Sequence, residues 1–222
     1  MEILTGMSDH DEHMTDWKKE TLVYDVPHPR LKLVARLLEG LPYSRLLDVG
    51  CSTGTLRRIL PDEITYFGCD ITDHARAHLD PGRFLRIDFN ETTDLSFFSG
   101  RDINMINISG VLEYLRSPGD LLTAARSLVP KDRPLLVSII NFDGARFSDP
   151  VHHHPSWIYR PGLDEFSALL AKTGWNIERV IPLLRGTSWR AGIRQWLARR
   201  RGADHPDVRR AAAQFVLVAK SV

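Results

Sequence analysis

Short apolar runs typical of β-strands alternate along this chain with runs that have helical spacing, and this alternation limits the fold more than any other feature. Strands that alternate with helices form a mostly parallel sheet with helices on both faces. The run from Leu135 to Ile140 has hardly a polar residue, as expected for a strand covered on both faces. The sequence therefore predicts a doubly wound α/β domain.

Proline and glycine mark several of the element ends. Proline stands at the start of two predicted helices, and Gly174 ends a third. The predicted helices cover residues 29–38, 55–60, 73–79, 118–128 and 163–172. The predicted strands cover residues 45–49, 65–69, 84–87, 103–108, 135–140, 175–184 and 215–219.

The length of 222 residues suggests one domain with appendages. We expect an N-terminal tail over residues 1–28 and the main domain over residues 29–222, with an arginine-rich insertion at 185–213. Two cysteines give no disulfide framework and fit a reducing, cytoplasmic setting. No apolar run approaches the length of a membrane span, and a net charge of +1 gives no global reason to expect nucleic acid as a partner.

A turn of small residues follows the first predicted strand. Gly50 and Gly54 remove Cβ atoms where the backbone must turn sharply and let a ligand approach, and Asp48 adds a carboxylate suited to a cationic ligand group. Asp70 ends the next strand about twenty residues later, at the spacing of an acid that binds ribose hydroxyls. Asp88 follows the third strand and could accept from an adenine amino group, with the adjacent Phe89 packed on the ring.

These residues resemble the class I S-adenosylmethionine-dependent methyltransferases. The family loop reads acid-x-Gly-x-Gly-x-Gly, and the chain has Asp48, Gly50, Ser52 and Gly54, so a small serine replaces the middle glycine. The resemblance extends over about 45–184, including the run 109–115 after the fourth strand. It implies a seven-stranded, mostly parallel sheet whose last strand is antiparallel, with S-adenosylmethionine as cofactor. The implied cofactor-binding residues are Asp48, Gly50, Ser52, Gly54, Asp70, Ile71, Asp88, Phe89 and Ser109.

Two neighbouring interpretations differ in how well they fit. Within the family, the stretch 138–142 and the helix that follows are loosely similar to the methyltransferases of the methionine-biosynthesis W type, many of which modify polysaccharides or small metabolites. A nicotinamide-dinucleotide loop would instead require G-x-G-x-x-G, and Ser52 and Thr55 stand at two positions where that loop needs other residues.

Three consecutive histidines, His152, His153 and His154, follow the fifth strand and provide candidate general bases for a hydroxyl acceptor. We choose His153, because as the middle residue of an extended run it can point to the site while its neighbours point away. The alternative is that these histidines, with Asp143 and Asp149, hold a divalent metal, although no fixed ligand spacing supports it.

Four further residues are candidates for substrate contact. Trp157 and Tyr159 offer aromatic faces that suit a sugar or another ring, and Glu113 and Tyr114 follow the fourth strand. Each also has a purely structural interpretation, as loop cover for the aromatics and as a polar position on a short helix for Glu113. The region that holds Trp17, Tyr24 and His28 often folds over the cofactor as a lid in the family.

The insertion has an apolar stripe at helical spacing, formed by Trp189, Ile193, Trp196 and Leu197. We expect an amphipathic helix that docks on the sheet or on another subunit, with its arginines in solvent and no nucleic-acid role. The predicted function is O-methylation of a hydroxyl on a small molecule, preferably a carbohydrate or glycan. The alternatives are another acceptor, such as a carboxylate, an amine or an aromatic natural product, and a non-catalytic partner subunit that binds the cofactor. A homo-oligomer is compatible with either.

Overall fold

The computed structural model describes residues 27, 29–147, 149, 151, 153–184 and 189–222. The predicted tail apart from Pro27, the predicted lid residues, His152 and the first residues of the insertion lie outside this part of the chain. The helices are α1 (Pro29–Leu38), α2 (Thr55–Arg58), α3 (Pro118–Leu128), α4 (Leu163–Lys172), α5 (Trp189–Arg201) and α6 (Pro206–Ala211). The strands are β1 (Arg45–Val49), β2 (Thr65–Asp70), β3 (Phe84–Arg86), β4 (Met105–Ser109), β5 (Pro134–Ile140), β6 (Trp175–Leu183) and β7 (Gln214–Ser221).

The seven strands form a single sheet in the order β3-β2-β1-β4-β5-β7-β6. Neighbours from β3 to β5 pair in parallel, whereas β7 runs antiparallel to both β5 and β6. The predicted doubly wound sheet with an antiparallel last strand is therefore confirmed. The chain reverses its winding between β1 and β4, and in open α/β sheets ligands bind beyond the carboxyl ends of the strands at this point.

Each face of the sheet is covered by its own apolar cluster. Leu47 and Val49 of β1 point into a cluster that includes residues of α3 and α4. Leu46 points the other way, into a cluster that includes Leu33, Val34 and Leu38 of α1. All seven residues of β5 are buried, which explains why this strand lacks the alternating pattern of a half-exposed strand.

Two local differences from the prediction have simple causes. The short helix expected over residues 73–79 is a 3₁₀ turn, His74–Ala77, and such tighter turns are frequent as short connectors. The run 103–108 becomes a strand only from Met105, because the side chain of Asn104 accepts hydrogen bonds from the backbone N–H groups of Ser44 and Arg45 instead. The helices α1, α3 and α4 have the predicted bounds.

Candidate functional site: the carboxyl edge of the sheet

The turn after β1 is held against the end of β2 by backbone hydrogen bonds. The N–H groups of Gly50 and Cys51 both donate to the carbonyl of Cys69, at 2.8 and 3.1 Å. Gly50 has φ +73°, and a Cβ atom there would lie 2.1 Å from Cγ2 of Val111. Glycine is therefore required at this position both by the backbone conformation and by the close approach of the β4 turn.

Ser52, which stands at the position of the middle glycine of the family loop, adopts a left-handed conformation with φ +52°. Its backbone N–H donates to Oδ2 of Asp70 at 2.8 Å. The other carboxylate oxygen of Asp70 accepts from the N–H and the hydroxyl of Thr72, at 2.9 and 2.8 Å. A carboxylate has about four acceptor sites, so Asp70 fixes the loop and still has capacity at Oδ2 for a ligand hydroxyl.

Asp48 lies beneath the loop, and both of its oxygens are occupied by neighbouring strands. The Tyr66 hydroxyl donates to Oδ2, and the Asn107 side-chain amide donates to Oδ1 at 2.6 Å. Ser109 in turn donates its hydroxyl to Oδ1 of Asn107 at 2.8 Å. Burial raises the pKa of Asp48 to about 6, although the hydrogen bonds from Tyr66 and Asn107 lower it. Neither Tyr66 nor Asn107 is predicted from the sequence, because their pairing with Asp48 depends on the register of neighbouring strands.

An open cavity with an empty volume of about 820 Å³ lies at this edge, between the loop and the turn after β4. This volume includes space that is open to solvent above the lining residues. The cavity brings together seven of the nine predicted cofactor residues and Tyr114 from the predicted substrate set; Asp48 and Gly54 are not among its lining residues. The lining residues are Arg30, Gly50, Ser52, Asp70, Ile71, Thr72, Asp88, Phe89, Asn90, Ser109, Gly110, Val111, Tyr114 and Leu115.

Arg30 is the one cation among these lining residues, and no motif in the sequence predicts it. It comes from α1, and its guanidinium lies over Gly110, where a Cβ atom would be 2.5 Å from Nη1. The φ of +74° at Gly110 and its missing side chain together make room for this group. No sequence pattern links the start of α1 to a loop that follows β4, so only the folded chain shows this pairing.

Glu113 was a candidate for substrate contact, but the structure places it behind the cavity wall. It is buried, and its Oε1 accepts from the N–H of Ile140 at the end of β5, at 2.8 Å. Its backbone carbonyl accepts from Ile158 and Tyr159, at 2.7 and 3.0 Å. Burial raises the pKa of this carboxyl, while the nearby charge of Arg30 lowers it. Glu113 therefore fastens the segment after β5 to the turn after β4.

Both ring nitrogens of His153 and the Nδ1 atom of His154 are engaged or buried. His153 donates its Nε2–H to the carbonyl of Phe147 at 2.7 Å, which leaves the lone pair on Nδ1, and that atom is buried. Nδ1 of His154 accepts from the N–H of Ser156 at 3.2 Å. Neither residue lines the cavity, although the His154 ring meets the Tyr114 ring edge to face at 6.5 Å. The base role of His153 remains a prediction, and His152 lies outside the described residues.

The two aromatic candidates, Trp157 and Tyr159, pack in different apolar clusters. Trp157 contacts Phe142, Phe147 and His153, with its ring centre 5.6 Å from both phenylalanines. Tyr159 packs against the cluster on the α4 side of the sheet, and burial raises its pKa to about 12. Neither aromatic is among the residues that line the cavity, and this favours the structural interpretation of both.

Neither a metal cluster nor a membrane-spanning helix is found within the described ranges. In that part of the chain, no three His, Cys, Asp or Glu side chains are grouped so as to hold a metal ion. The metal alternative included His152, which is not described. No helix in the same residues is long and apolar enough to cross a bilayer.

The chemistry of the lining groups fits S-adenosylmethionine. Asp70 and Asp88 are acceptors suited to ribose hydroxyls and an adenine amino group, and Phe89 supplies an apolar wall. Arg30 is a cation suited to a carboxylate. Gly50 lines the cavity without a side chain, where a Cβ atom would collide with Val111. The residues present therefore match a nucleoside joined to an amino acid.

Comparison with known proteins agrees with this geometry. The family profile described as "Methyltransferase domain" matches residues 22–209. Among solved structures, the cyclase SpnF has a TM-score of 0.61 at 18% identity, covering 86% of this chain and 79% of its own. The complex between the Haloferax volcanii Trm112 methyltransferase activator and a methyltransferase gives 0.61 at 17%, covering 96% and 92%.

A third similar structure has a bound ligand. The Burkholderia thailandensis 1,6-didemethyltoxoflavin-N1-methyltransferase, bound to 1,6-didemethyltoxoflavin and S-adenosylhomocysteine, gives a TM-score of 0.57 at 14% identity, covering 97% of this chain and 84% of its own. At these identities the likeness concerns the fold. No curated protein sequence is similar enough to this chain to count as a match.

Proposed function

Because the chain belongs to the methyltransferase-domain family and is a class I S-adenosylmethionine-dependent methyltransferase, we propose that it methylates an oxygen atom of a small molecule at the carboxyl edge of its sheet. The observation that carries the proposal is the cavity, which combines two carboxylates, an arginine and the glycine turn. The cofactor supplies an electrophilic methyl group on a sulfonium, and the chain's own residues bind and align the reactants.

The proposed cofactor contacts divide into two ends. Asp70 accepts from a ribose hydroxyl through the free capacity of Oδ2, and Asp88 and Phe89 hold the adenine. Arg30 binds the carboxylate of the amino-acid part, next to the turn of Ser109 and Gly110. A charge-assisted hydrogen bond contributes about 1.5–3 kcal/mol, so loss of either contact should weaken binding about ten- to a hundred-fold.

Two ligands and two variants separate these ends by calorimetry. Arg30→Met should weaken binding of S-adenosylmethionine but leave binding of 5′-methylthioadenosine near wild type, because that nucleoside lacks the amino-acid part. Asp70→Ala should weaken both ligands. If the wild type bound neither ligand, the proposed site would be wrong. If Arg30→Met weakened both equally, the assignment of Arg30 alone would be lost.

The acceptor is proposed to lie beside Tyr114, between the cavity and the segment after β5. This segment is held close to the cavity by the two backbone hydrogen bonds to Glu113. The predicted preference for carbohydrate rests on Trp157, Tyr159, a histidine base and the loose similarity to the methionine-biosynthesis W type. Both aromatics pack in apolar clusters, and neither lines the cavity. We therefore propose a small-molecule acceptor and do not carry the preference for carbohydrate further.

The state of the histidines supports an oxygen that ionises without a strong base, as in a carboxylate or an acidic phenol or enol. His153 Nδ1 is buried within an aromatic cluster, and His154 Nδ1 already accepts a backbone N–H. An aliphatic hydroxyl must lose a proton during attack, and an alkyl amine must lose one before it. The hydroxyl would therefore need a base positioned at the methyl group, whereas the amine could lose its proton to solvent beforehand.

Paired substitutions test this part of the proposal. With a carboxylate or acidic phenol as acceptor, His153→Ala and His154→Ala should both keep turnover within a few-fold, once cofactor affinity and melting temperature are shown to be unchanged. A loss of about 10²–10⁴-fold in His153→Ala alone, with a rate that rises through a titration near neutral pH, would instead establish His153 as the base for a hydroxyl acceptor.

A further inference from the structure

Helix α5 is held against the end of β6 through the face that contains Gln195. The side chain of Gln195 accepts from the N–H of Leu184 at 2.7 Å and donates to the carbonyl of Pro182 at 2.5 Å, so it ties the helix to the end of β6. Ala198, three residues further along the helix, is only 3% exposed. These two residues define the inner face of α5.

The described part of the apolar stripe on the same helix points outward. Ile193, Trp196 and Leu197 are 49, 52 and 39% exposed. Their spacing of three and four residues puts them on one face of the helix. The sequence predicts that this stripe docks on the sheet or on another subunit. Gln195 and Ala198 occupy the side that meets the sheet, so the described part of the stripe faces away from it.

The helix is strongly basic as well as apolar on its outer side. Its thirteen residues include five arginines and no acidic residue. The Arg200 guanidinium lies 4.3 Å from the ring centre of Trp196, so a cation borders the exposed aromatic face. Arg201, at the end of the helix, forms an ion pair with Asp207 at 3.7 Å. The whole chain carries a formal charge of only +1, so this cationic surface is local.

We propose that the outer face of α5 binds the surface of a membrane that contains anionic phospholipid. Tryptophan and aliphatic side chains bordered by arginines are the pattern of helices that lie in the plane of the bilayer interface. The apolar side chains enter the boundary between headgroups and acyl chains, and the arginines meet lipid phosphates. Charge complementarity favours an anionic membrane over a second copy of this chain as the partner of α5. A two-fold contact would bring together two α5 helices that contain arginines and no acidic residue.

The test uses the full chain and vesicles of phosphatidylcholine with or without about 30% phosphatidylglycerol, in sedimentation assays. We expect binding to the anionic vesicles only, weakening between roughly 0.1 and 0.5 M salt, with a blue shift of tryptophan fluorescence. At about 1 kcal/mol per arginine near the surface, the double variant Arg194→Gln with Arg200→Gln should bind about thirty-fold more weakly. Trp196→Ser should also reduce binding and remove most of the fluorescence shift.

The matched control is Lys131→Gln with Lys172→Gln, which removes the same charge from exposed positions outside the helix. It should keep wild-type binding, and an equal loss in both double variants would overturn the proposal. Three other results would also overturn the proposal. The first is that the wild type does not bind the anionic vesicles, and the second is that it binds RNA while the arginine variant partitions to vesicles as the wild type does. The third is a concentration-dependent dimer that Trp196→Ser dissociates. Because Arg194 and Arg200 are exposed, melting temperature and cofactor affinity should be unchanged in their variant.

Discussion

Replacing Asp48 by asparagine should make the protein more stable at neutral pH by an amount that grows with pH. The pKa of Asp48 rises from 3.8 to about 6 on folding because burial disfavours its charged form. The neutral carboxyl of Asp48 contributes stability that is fully present below about pH 3.8 and is lost as the pH rises through about 6. At about 1.4 kcal/mol per pKa unit the full loss is about 3 kcal/mol, of which about 2 kcal/mol falls between about pH 4.5 and pH 7.

Asparagine keeps the shape of the side chain, accepts from Asn107 with its oxygen and donates to the Tyr66 hydroxyl with its amide. The assay is urea unfolding of both proteins across this pH range. The difference between their free energies of unfolding is plotted against pH, because the contributions of the carboxylates that both proteins contain then cancel. Asp62→Asn at an exposed position controls for loss of one acid. Parallel curves for wild type and Asp48→Asn would refute the burial argument.

Two further substitutions test how the edge of the sheet is built. In chemical denaturation, Gly50→Ala should lower the free energy of unfolding by about 1–3 kcal/mol more than Gly100→Ala does. Both positions need a left-handed backbone, but only an added Cβ at position 50 meets Val111. Equal losses of stability would contradict the close approach of Val111 to Gly50. Asn141→Ala should leave two carbonyls of residues 209–212 without their side-chain donor, costing about 2–3 kcal/mol. Hydrogen exchange should then show faster opening of that segment, and unchanged protection there would refute the link.

Local signals in the sequence were enough for the architecture. The bounds of α3 and α4 follow from a proline that starts one helix, a glycine that stops the other and regular apolar spacing. The acids at the ends of β2 and β3 could be placed at one edge because parallel strands bring their carboxyl ends together. Seven of the predicted cofactor residues line one cavity for this reason.

The contacts that support the site depend on strand order and register, which no local signal contains. Asp48 lies directly across from Asn107 in the β1–β4 ladder. Its other partner, Tyr66, lies two residues before Gly68, which pairs with Asp48 in the β1–β2 ladder, and therefore on the same face of the sheet. Helical periodicity likewise shows that Ile193 and Trp196 share a face, but the direction of that face depends on which side chains anchor α5 to β6.

Asp70 has two tasks in the proposed site, and this accounts for the serine in a loop that the family builds with glycine. A left-handed residue other than glycine costs about 1–2 kcal/mol, and Ser52 adopts that conformation. The N–H of Ser52 donates to the Asp70 carboxylate, and hydrogen bonds to charged groups contribute about 1.5–3 kcal/mol, enough to offset the strain. The carboxylate that holds the loop is also the proposed ribose acceptor, so the loop is shaped by this acid before the cofactor binds. Asp70→Ala should therefore alter the hydrogen exchange of the Ser52 amide in the free protein, whereas an acid that served the ligand alone would leave that exchange unchanged.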